Sequence, residues 1–202
     1  MAKSYHDLVI KDGKFIGEFE QLYSEFDDPW MQSQQPNPYA RMASIIHMKK
    51  LGIKSVLECG CGLGYYADWI RRETGVIPKS VDVSETAIEK AKKIFPDLDF
   101  EVADITKTLS DYKDLDAILF AEIIWYILPD LDQIFETMKA HFSGKTLIVT
   151  QVFYKGSQKY GNEYFTSLDE FIDYVPFDLI ARCEATMAED STIETSTAFR
   201  IG

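Results

Sequence analysis

No stretch of the 202 residues approaches the roughly 18 uninterrupted apolar positions that a membrane-spanning helix needs. The first residues, Met1-Ala-Lys-Ser-Tyr-His-Asp, hold no apolar segment of the kind an export signal carries, which predicts a cytoplasmic protein. Positive charge is scarce, with 21 Lys+Arg against 33 Asp+Glu and a net charge of −12. Such a surface repels phosphate backbones and anionic lipid, so neither a nucleic acid nor a membrane is expected as a partner. Cysteine is sparse and odd in number, and Cys59 and Cys61 flank one glycine too closely to pair comfortably. That is the usage of a reducing compartment. His6, His47 and His141 stand alone, without the spacing to Cys, Asp or Glu that metal ligands show, so no metal is expected.

What is present is enough for one folded domain. A 46% hydrophobic fraction lies far above a disordered composition, and a chain of this size buries about 70% of the surface its unfolded form exposes. No repeat or low-complexity tract is visible. Residues 1–40 are polar and aromatic, with Pro29, Pro36 and Pro38, and read as a short helix and an irregular arm capping a domain at 41–202. From Arg41 onward, apolar runs alternate with amphipathic stretches. Arg41 to Lys50 is predicted helical, with Met42, Ile45 and Ile46 on its apolar face. Strands are predicted at Ser55–Glu58, Ser80–Val83, Phe100–Ala103, Ala117–Phe120 and Thr146–Val152. The helices between them are Tyr65–Glu73, a Ser84-capped helix to Phe95, and Leu131–Phe142. Phe177–Thr186 and Thr192–Ile201 read as strands joined by Ala188-Glu-Asp-Ser191. So short a connection makes the pair antiparallel. The pattern predicts an α/β doubly wound sheet, mostly parallel, with a C-terminal hairpin at one edge.

The densest signal is Val56-Leu-Glu58-Cys-Gly60-Cys61-Gly62-Leu-Gly64-Tyr-Tyr-Ala67, a strand running through three alternate glycines into a helix. Glycine lets the backbone turn sharply and approach a ligand closely, and amides at a helix start offer donors and partial positive charge. A bare strand-to-helix turn would use the same residues. Asp82 ends the second strand about 20 residues on, where a carboxylate takes the ribose hydroxyls of an adenosine. Asp104 ends the third, in place to accept from an adenine amine. Gly62-Leu-Gly64-Tyr-Tyr-Ala67 also fits G-x-G-x-x-A, so an NAD-dependent oxidoreductase is an alternative. Against it, Glu58 sits where a pyrophosphate would be repelled and a cationic amino-acid head welcomed. There is no Tyr-x-x-x-Lys pair for proton transfer, and the terminal hairpin replaces a second dinucleotide half. Ser143-Gly-Lys145-Thr146 is not a phosphate loop, because residue 139 is Lys and a strand follows.

Glu58-Cys-Gly60-Cys-Gly62-Leu-Gly64 resembles the E/D-x-G-x-G-x-G motif of class I S-adenosylmethionine-dependent methyltransferases. Ser80-Val-Asp82-Val83-Ser84, Phe100-Glu-Val-Ala-Asp104-Ile105 and Leu115 to Glu122 resemble that superfamily's following motifs. The resemblance covers about residues 41–202. It implies a Rossmann-like seven-stranded sheet and S-adenosyl-L-methionine as cofactor. It places Glu58, Gly60, Cys61, Gly62 and Gly64 at the methionine part, Asp82 and Val83 at the ribose, and Asp104 and Ile105 at adenine. A narrower set, Asp28-Pro-Trp30, Tyr39, Arg41 and Glu122-Ile-Ile-Trp-Tyr126-Ile-Leu, is similar to nodulation-type N-methyltransferases, which act on amino sugars of lipo-oligosaccharides. In that likeness Arg41 is a candidate partner of the cofactor carboxylate, and Trp30 and Tyr39 candidates for closing over the cofactor. The arm departs from that family at Met31-Gln-Ser-Gln-Gln-Pro-Asn-Pro.

The expected reaction is methyl transfer to N or O of a small molecule, with a sugar or sugar derivative first. An amine acceptor needs only a lone pair, whereas a hydroxyl more often needs a general base. Glu122 and Tyr126 are the candidate catalytic residues, with Trp125, Gln151 and Tyr154 also projecting from strand ends. Phe153, Tyr154, Tyr160, Tyr164 and Phe165 form a candidate lid or ordinary packing. A catalytically silent subunit that binds the cofactor or its demethylated product is the remaining alternative.

Overall fold

The computed structural model describes residues 6–11, 14–34, 38–158 and 160–202. Met1–Tyr5 and the 35–37 part of the expected irregular arm, Pro36 included, lie outside the described residues. The arm holds more regular structure than its composition suggests: α1 (His6–Val9), a tiny hairpin of β1 (Ile10–Lys11) and β2 (Lys14–Phe15), and α2 (Phe19–Glu25). The domain then runs α3 (Tyr39–Leu51), β3 (Val56–Cys59), α4 (Tyr65–Thr74), β4 (Lys79–Asp82), α5 (Glu85–Ile94), β5 (Asp99–Val102) and α6 (Ile105–Thr108). It continues with β6 (Ala117–Ala121), α7 (Leu131–His141), β7 (Thr146–Tyr154), α8 (Leu168–Tyr174), β8 (Asp178–Ala185) and β9 (Thr192–Arg200).

Seven strands form one sheet in the order β5-β4-β3-β6-β7-β9-β8. The first five are parallel, and β9 inserts antiparallel between β7 and β8. This is the mostly parallel, Rossmann-like sheet with a terminal hairpin that the sequence predicts. Its central strands are apolar on both faces because both are covered. Leu57, Cys59, Phe120 and Leu147 face one core with Phe135, Phe142, Phe171 and Phe199. Val56, Leu119 and Ile148 face the other with Ile45, Met48, Tyr66 and Ile70.

Helix α3 starts at Tyr39, two residues ahead of the expected position, and turns a partly different face inward, with Ile45 buried as expected. Met42 and Ile46, assigned to its apolar face, are 42% and 49% exposed, while Arg41, Ser44 and His47 are buried. Polar residues occupy the inner face because that face meets the functional end of the sheet, so apolar spacing misread it. By contrast Ser84 caps α5 as expected, its Oγ accepting from the Ala87 amide at 3.1 Å. The arm is fastened to that same helix. Ser84 Oγ donates to Glu20 at 2.7 Å, and Lys90 donates to the carbonyls of Tyr23 and Phe26 at 2.7 and 2.9 Å. No helix among the described residues is long and apolar enough to cross a membrane.

Candidate active site

The carboxyl ends of β3, β4, β5 and β6 meet where the strand order reverses, the place open α/β sheets reserve for ligands. A cavity of about 460 Å³ lies there. Gly60, Asp82, Val83, Asp104, Ile105 and Glu122 line it from the sheet side. Phe19, Tyr23, Trp30 and Gln32 of the arm, Arg41 of α3 and Tyr126 line the rest. Of the thirteen predicted cofactor residues, eight line the cavity (Trp30, Arg41, Gly60, Asp82, Val83, Asp104, Ile105 and Glu122), and Tyr39, Glu58, Cys61, Gly62 and Gly64 do not.

Gly60 forms the floor. Its φ of +78° is a left-handed conformation that costs a side-chain-bearing residue energy, and a Cβ there would run into Ile123. Gly62 and Gly64 act from behind the wall. The Gly62 amide donates to Asp82 Oδ2 at 2.9 Å, and a Gly64 Cβ would stand 2.5 Å from the Phe100 ring. Cys61 packs its thiol into a small core with Ala67, Ile88 and Phe100, and Cys59 is likewise buried. Burial pushes both thiols well above their ordinary range, so neither is a nucleophile.

Glu58 lies under the loop, fully buried. Oε2 accepts from Ser80 Oγ at 2.6 Å, and Oε1 has no partner. Burial raises this carboxyl to about 7 against the opposing pull of Ser80 and Arg41. A buried acid oxygen without a donor is costly, and a cationic ligand group is what would satisfy it. Asp82 is raised by burial too, offset by amides including Ser84 at 3.0 Å and Gly62. At Asp104 burial works upward but is outweighed by Lys107 and Thr106, which hold it below the usual range. Arg41 lies over the Tyr66 ring, 4.9 Å from its centroid, and its Nε meets Glu122 Oε1 at 3.3 Å. Glu122 itself adopts φ +63°, strained for a non-glycine residue.

Tyr39, expected to close over the cofactor, does not line this cavity. It is 42% exposed, and its hydroxyl approaches Met187 Sδ at 3.3 Å, because the helix begins there and sends that side chain toward the β8–β9 turn. Gln151 is buried inside the sheet rather than presented at the site, and neither of its amide atoms has a partner. Trp125 turns away, its Nε1 donating to the Val152 carbonyl at 3.1 Å. The reading of the sequence missed Gln32, whose Oε1 accepts from the Leu63 amide at 2.8 Å and which thereby covers the glycine loop. It missed Tyr23 as well, whose hydroxyl stands 2.6 Å from where a Gly62 Cβ would be. A glutamine in a polar arm carries no signal of its own.

These placements give a direct check. Tyr39→Phe is expected to leave affinity for S-adenosylhomocysteine unchanged. Gln32→Ala, which frees the Leu63 amide, should weaken it about fivefold, the equivalent of roughly 1 kcal/mol for one hydrogen bond. Calorimetric titration of both variants reads the difference.

Residues 56–143 match the family model described as a methyltransferase domain, a span containing the glycine loop and both strand-end carboxylates. The match spans fewer than half of the 202 residues, and that stretch of the chain is similar to a methyltransferase domain. No curated protein matches the sequence significantly. Among solved structures, this chain is similar to the N-methyltransferase NodS from Bradyrhizobium japonicum WM9, in complex with S-adenosyl-L-homocysteine. The TM-score is 0.69 at 17% identity, over 90% of this chain and 97% of that one. The PH0226 protein from Pyrococcus horikoshii OT3 gives 0.65 at 16% identity, over 91% and 100%. A TehB-like SAM-dependent methyltransferase from Corynebacterium glutamicum ATCC 13032 gives 0.64 at 16%, over 89% and 98%. At these identities the likeness is one of fold.

S-adenosylmethionine is the cofactor that the sequence motifs imply. The residues present fit it: an orphaned buried acid oxygen under the loop, a floor that a Cβ would fill, and a wall carboxylate at the end of β4. The dinucleotide alternative loses its footing here, since the family match is to a methyltransferase and the hairpin stands where a second nucleotide-binding half would be.

Proposed function

We propose that this chain is an S-adenosylmethionine-dependent methyltransferase that methylates a nitrogen of a small-molecule acceptor, with sugar-derived amines the first class to try. The observation that carries this reading is the roof. Phe19, Tyr23, Trp30 and Gln32 bring the arm over the cofactor cavity, an enclosure that suits a small acceptor group. No Lys, His or Cys is among the described residues of the wall, which suits an acceptor that brings its own lone pair. The fold likeness to an N-methyltransferase supports the same choice. The net charge of −12 supports a reading without nucleic acid.

When bound, S-adenosylmethionine supplies a methyl group made electrophilic by its positive sulfur. The protein's part is holding and shielding. Glu58 offers negative charge beneath the loop, Asp82 accepts from ribose hydroxyls, and Val83 with Ile105 presents apolar surface to a flat base that Asp104 adjoins. Arg41 is the partner for a carboxylate, and Glu122 fixes its guanidinium. Trp30 and Tyr126, with ring centroids 5.9 Å apart, keep water from the reacting centre. The test is formation of S-adenosylhomocysteine from S-adenosylmethionine with panels of amino sugars, other small amines, and the matching alcohols. Turnover with amines and none with alcohols is expected. Turnover with alcohols alone would replace the nitrogen reading.

A further inference from the structure

Arg41 is the single cation among the described residues that line the cofactor cavity. A guanidinium that takes a carboxylate through two parallel bonds has to be aimed as a plane. Arginine's long side chain leaves that plane free to turn unless its neighbours fix it. Two buried residues that do not line the cavity, Ser44 and Tyr66, fix it from behind. Tyr66 presents its ring face, with the guanidinium carbon 4.9 Å from the centroid. Ser44, one turn along α3 from Arg41, donates its hydroxyl proton to the Arg41 carbonyl at 2.7 Å and touches the Tyr66 hydroxyl.

Ser44 has one hydroxyl proton, and the Arg41 carbonyl takes it, so Tyr66 is the donor in the Tyr66–Ser44 pair. Burial pushes the Tyr66 phenol up, which keeps that proton in place. A chain of bonds therefore runs from the Tyr66 hydroxyl through Ser44 to the backbone of Arg41, while the same tyrosine ring supports the Arg41 side chain. On a third side Glu122 Oε1 meets Nε at 3.3 Å. The Glu122 amide donates to the Thr150 carbonyl at 3.0 Å, which ties that residue's left-handed backbone to β7. Among the described residues, Nη1 and Nη2 of Arg41 enter no hydrogen bond or ion pair. The edge left open is thus the one with two donors side by side. Tyr66 is itself held, as the second residue of α4 directly after the glycine loop, in a buried cluster with Ile45, Met48 and Ile70.

We infer that Tyr66 and Ser44 are positioning residues for the cofactor: they hold Arg41 with its open edge toward the cavity, where it takes the carboxylate of the methionine part. The inference rests on the cofactor reading above and adds the two residues by which the helix after the glycine loop sets that grip. Neither of them lines the cavity. Their influence passes through Arg41 alone, and it is felt only by a ligand that carries the carboxylate.

The experiment is calorimetric titration of the full chain with S-adenosylhomocysteine and with methylthioadenosine, which keeps the nucleoside and the thioether but has no amino-acid carboxylate. The wild-type chain should bind S-adenosylhomocysteine at least tenfold more tightly. Arg41→Met should weaken S-adenosylhomocysteine at least tenfold and leave methylthioadenosine within twofold. Tyr66→Leu should weaken S-adenosylhomocysteine at least fivefold, spare methylthioadenosine in the same way, and cost nothing further when added to Arg41→Met. A loss shared equally by the two ligands, or a full second loss on top of Arg41→Met, would make Tyr66 a merely structural residue and overturn the inference. Should Tyr66→Leu not fold, Tyr66→Phe and Ser44→Ala carry the same test. Each should weaken S-adenosylhomocysteine about threefold and spare methylthioadenosine, and the double variant should bind no more weakly than Ser44→Ala alone. Additive losses, or equal losses for both ligands, overturn it there too. If the wild-type chain binds both ligands equally, the grip on the carboxylate is lost; if it binds neither, the cofactor reading beneath is lost.

Discussion

Glu58→Gln is expected to lower affinity for S-adenosylmethionine about 100-fold at pH 8 and to abolish a proton release that accompanies binding at lower pH. A buried group left without its charged partner costs roughly 2–5 kcal/mol, and 100-fold lies within that range. In the free protein burial holds this carboxyl near 7, so at pH 6 most molecules carry it protonated. A cationic cofactor head requires the carboxylate, and binding at pH 6 therefore expels close to one proton, falling toward none at pH 8. Titrations in buffers of different ionisation enthalpy measure that number directly. A release that persisted unchanged in Glu58→Gln would assign it elsewhere and sink the role given to Glu58.

The same group makes the stability of the free protein depend on pH. Its folded pKa, about 7, lies above the ordinary 4.5. The protonated form is therefore the one that folding favours. This contribution is complete below about 4.5 and is lost as pH rises through 7, a change of about 3 kcal/mol at roughly 1.4 kcal/mol per unit. Relative to Glu58→Gln, the wild-type chain without cofactor loses stability over that window, and cofactor at saturating concentration restores it.

Gly60→Ala carries the second large effect. The residue would have to hold φ +78° with a methyl group driven into Ile123. The backbone term is about 1–2 kcal/mol, overpacking adds about 1–3 kcal/mol, and in a domain of this size each kcal/mol moves Tm by about 2–4 °C. A Tm lower by roughly 5–15 °C is expected, together with loss of measurable S-adenosylhomocysteine binding, because Ile123, which must shift, lines the same cavity. Gly144→Ala is the control. It shares a positive φ, +80°, but its Cβ would meet nothing within 4 Å. It should show the backbone cost alone and bind the cofactor normally. Equal binding by Gly60→Ala and wild type would mean that the loop does not form the floor of the cofactor site.

The legible parts of this molecule were those whose physics is local or periodic. Three glycines at alternate positions between a strand and a helix, and acids ending two successive strands, state the sheet's functional edge without any tertiary knowledge. The hairpin was legible because so short a connection, six residues between Ala185 and Thr192, admits only one strand direction. Side-chain direction in the arm and α3 was not. Tyr39 and Arg41 lie two positions apart on one helix, so they point to different faces, and only Arg41 reaches the cavity. Met42 and Ile46 looked like core because polar residues are rarely turned inward; here Arg41 and Ser44 are, drawn by Glu122 and Tyr66. Gln32 and Tyr66 gave no signal because their significance is what they face, a loop amide in one case and the Arg41 guanidinium in the other. No local pattern records that.

The position of β9 has a consequence for the order in which the protein is made. Its nine residues pair with β7 on one side and β8 on the other, and α3, which carries Arg41, packs against it, with the Ala40 amide donating to Glu194 Oε2 at 3.0 Å. The glycine loop and the strand-end acids, residues 58–104, leave the ribosome long before residues 192–200 do. Until residues 192–200 emerge, β7 has a bare edge and α3 lacks one of the strands it packs against. The grip on the cofactor is thus a late acquisition, and a stalled chain that displays every motif residue will not yet be protected by the ligand those residues are built to hold.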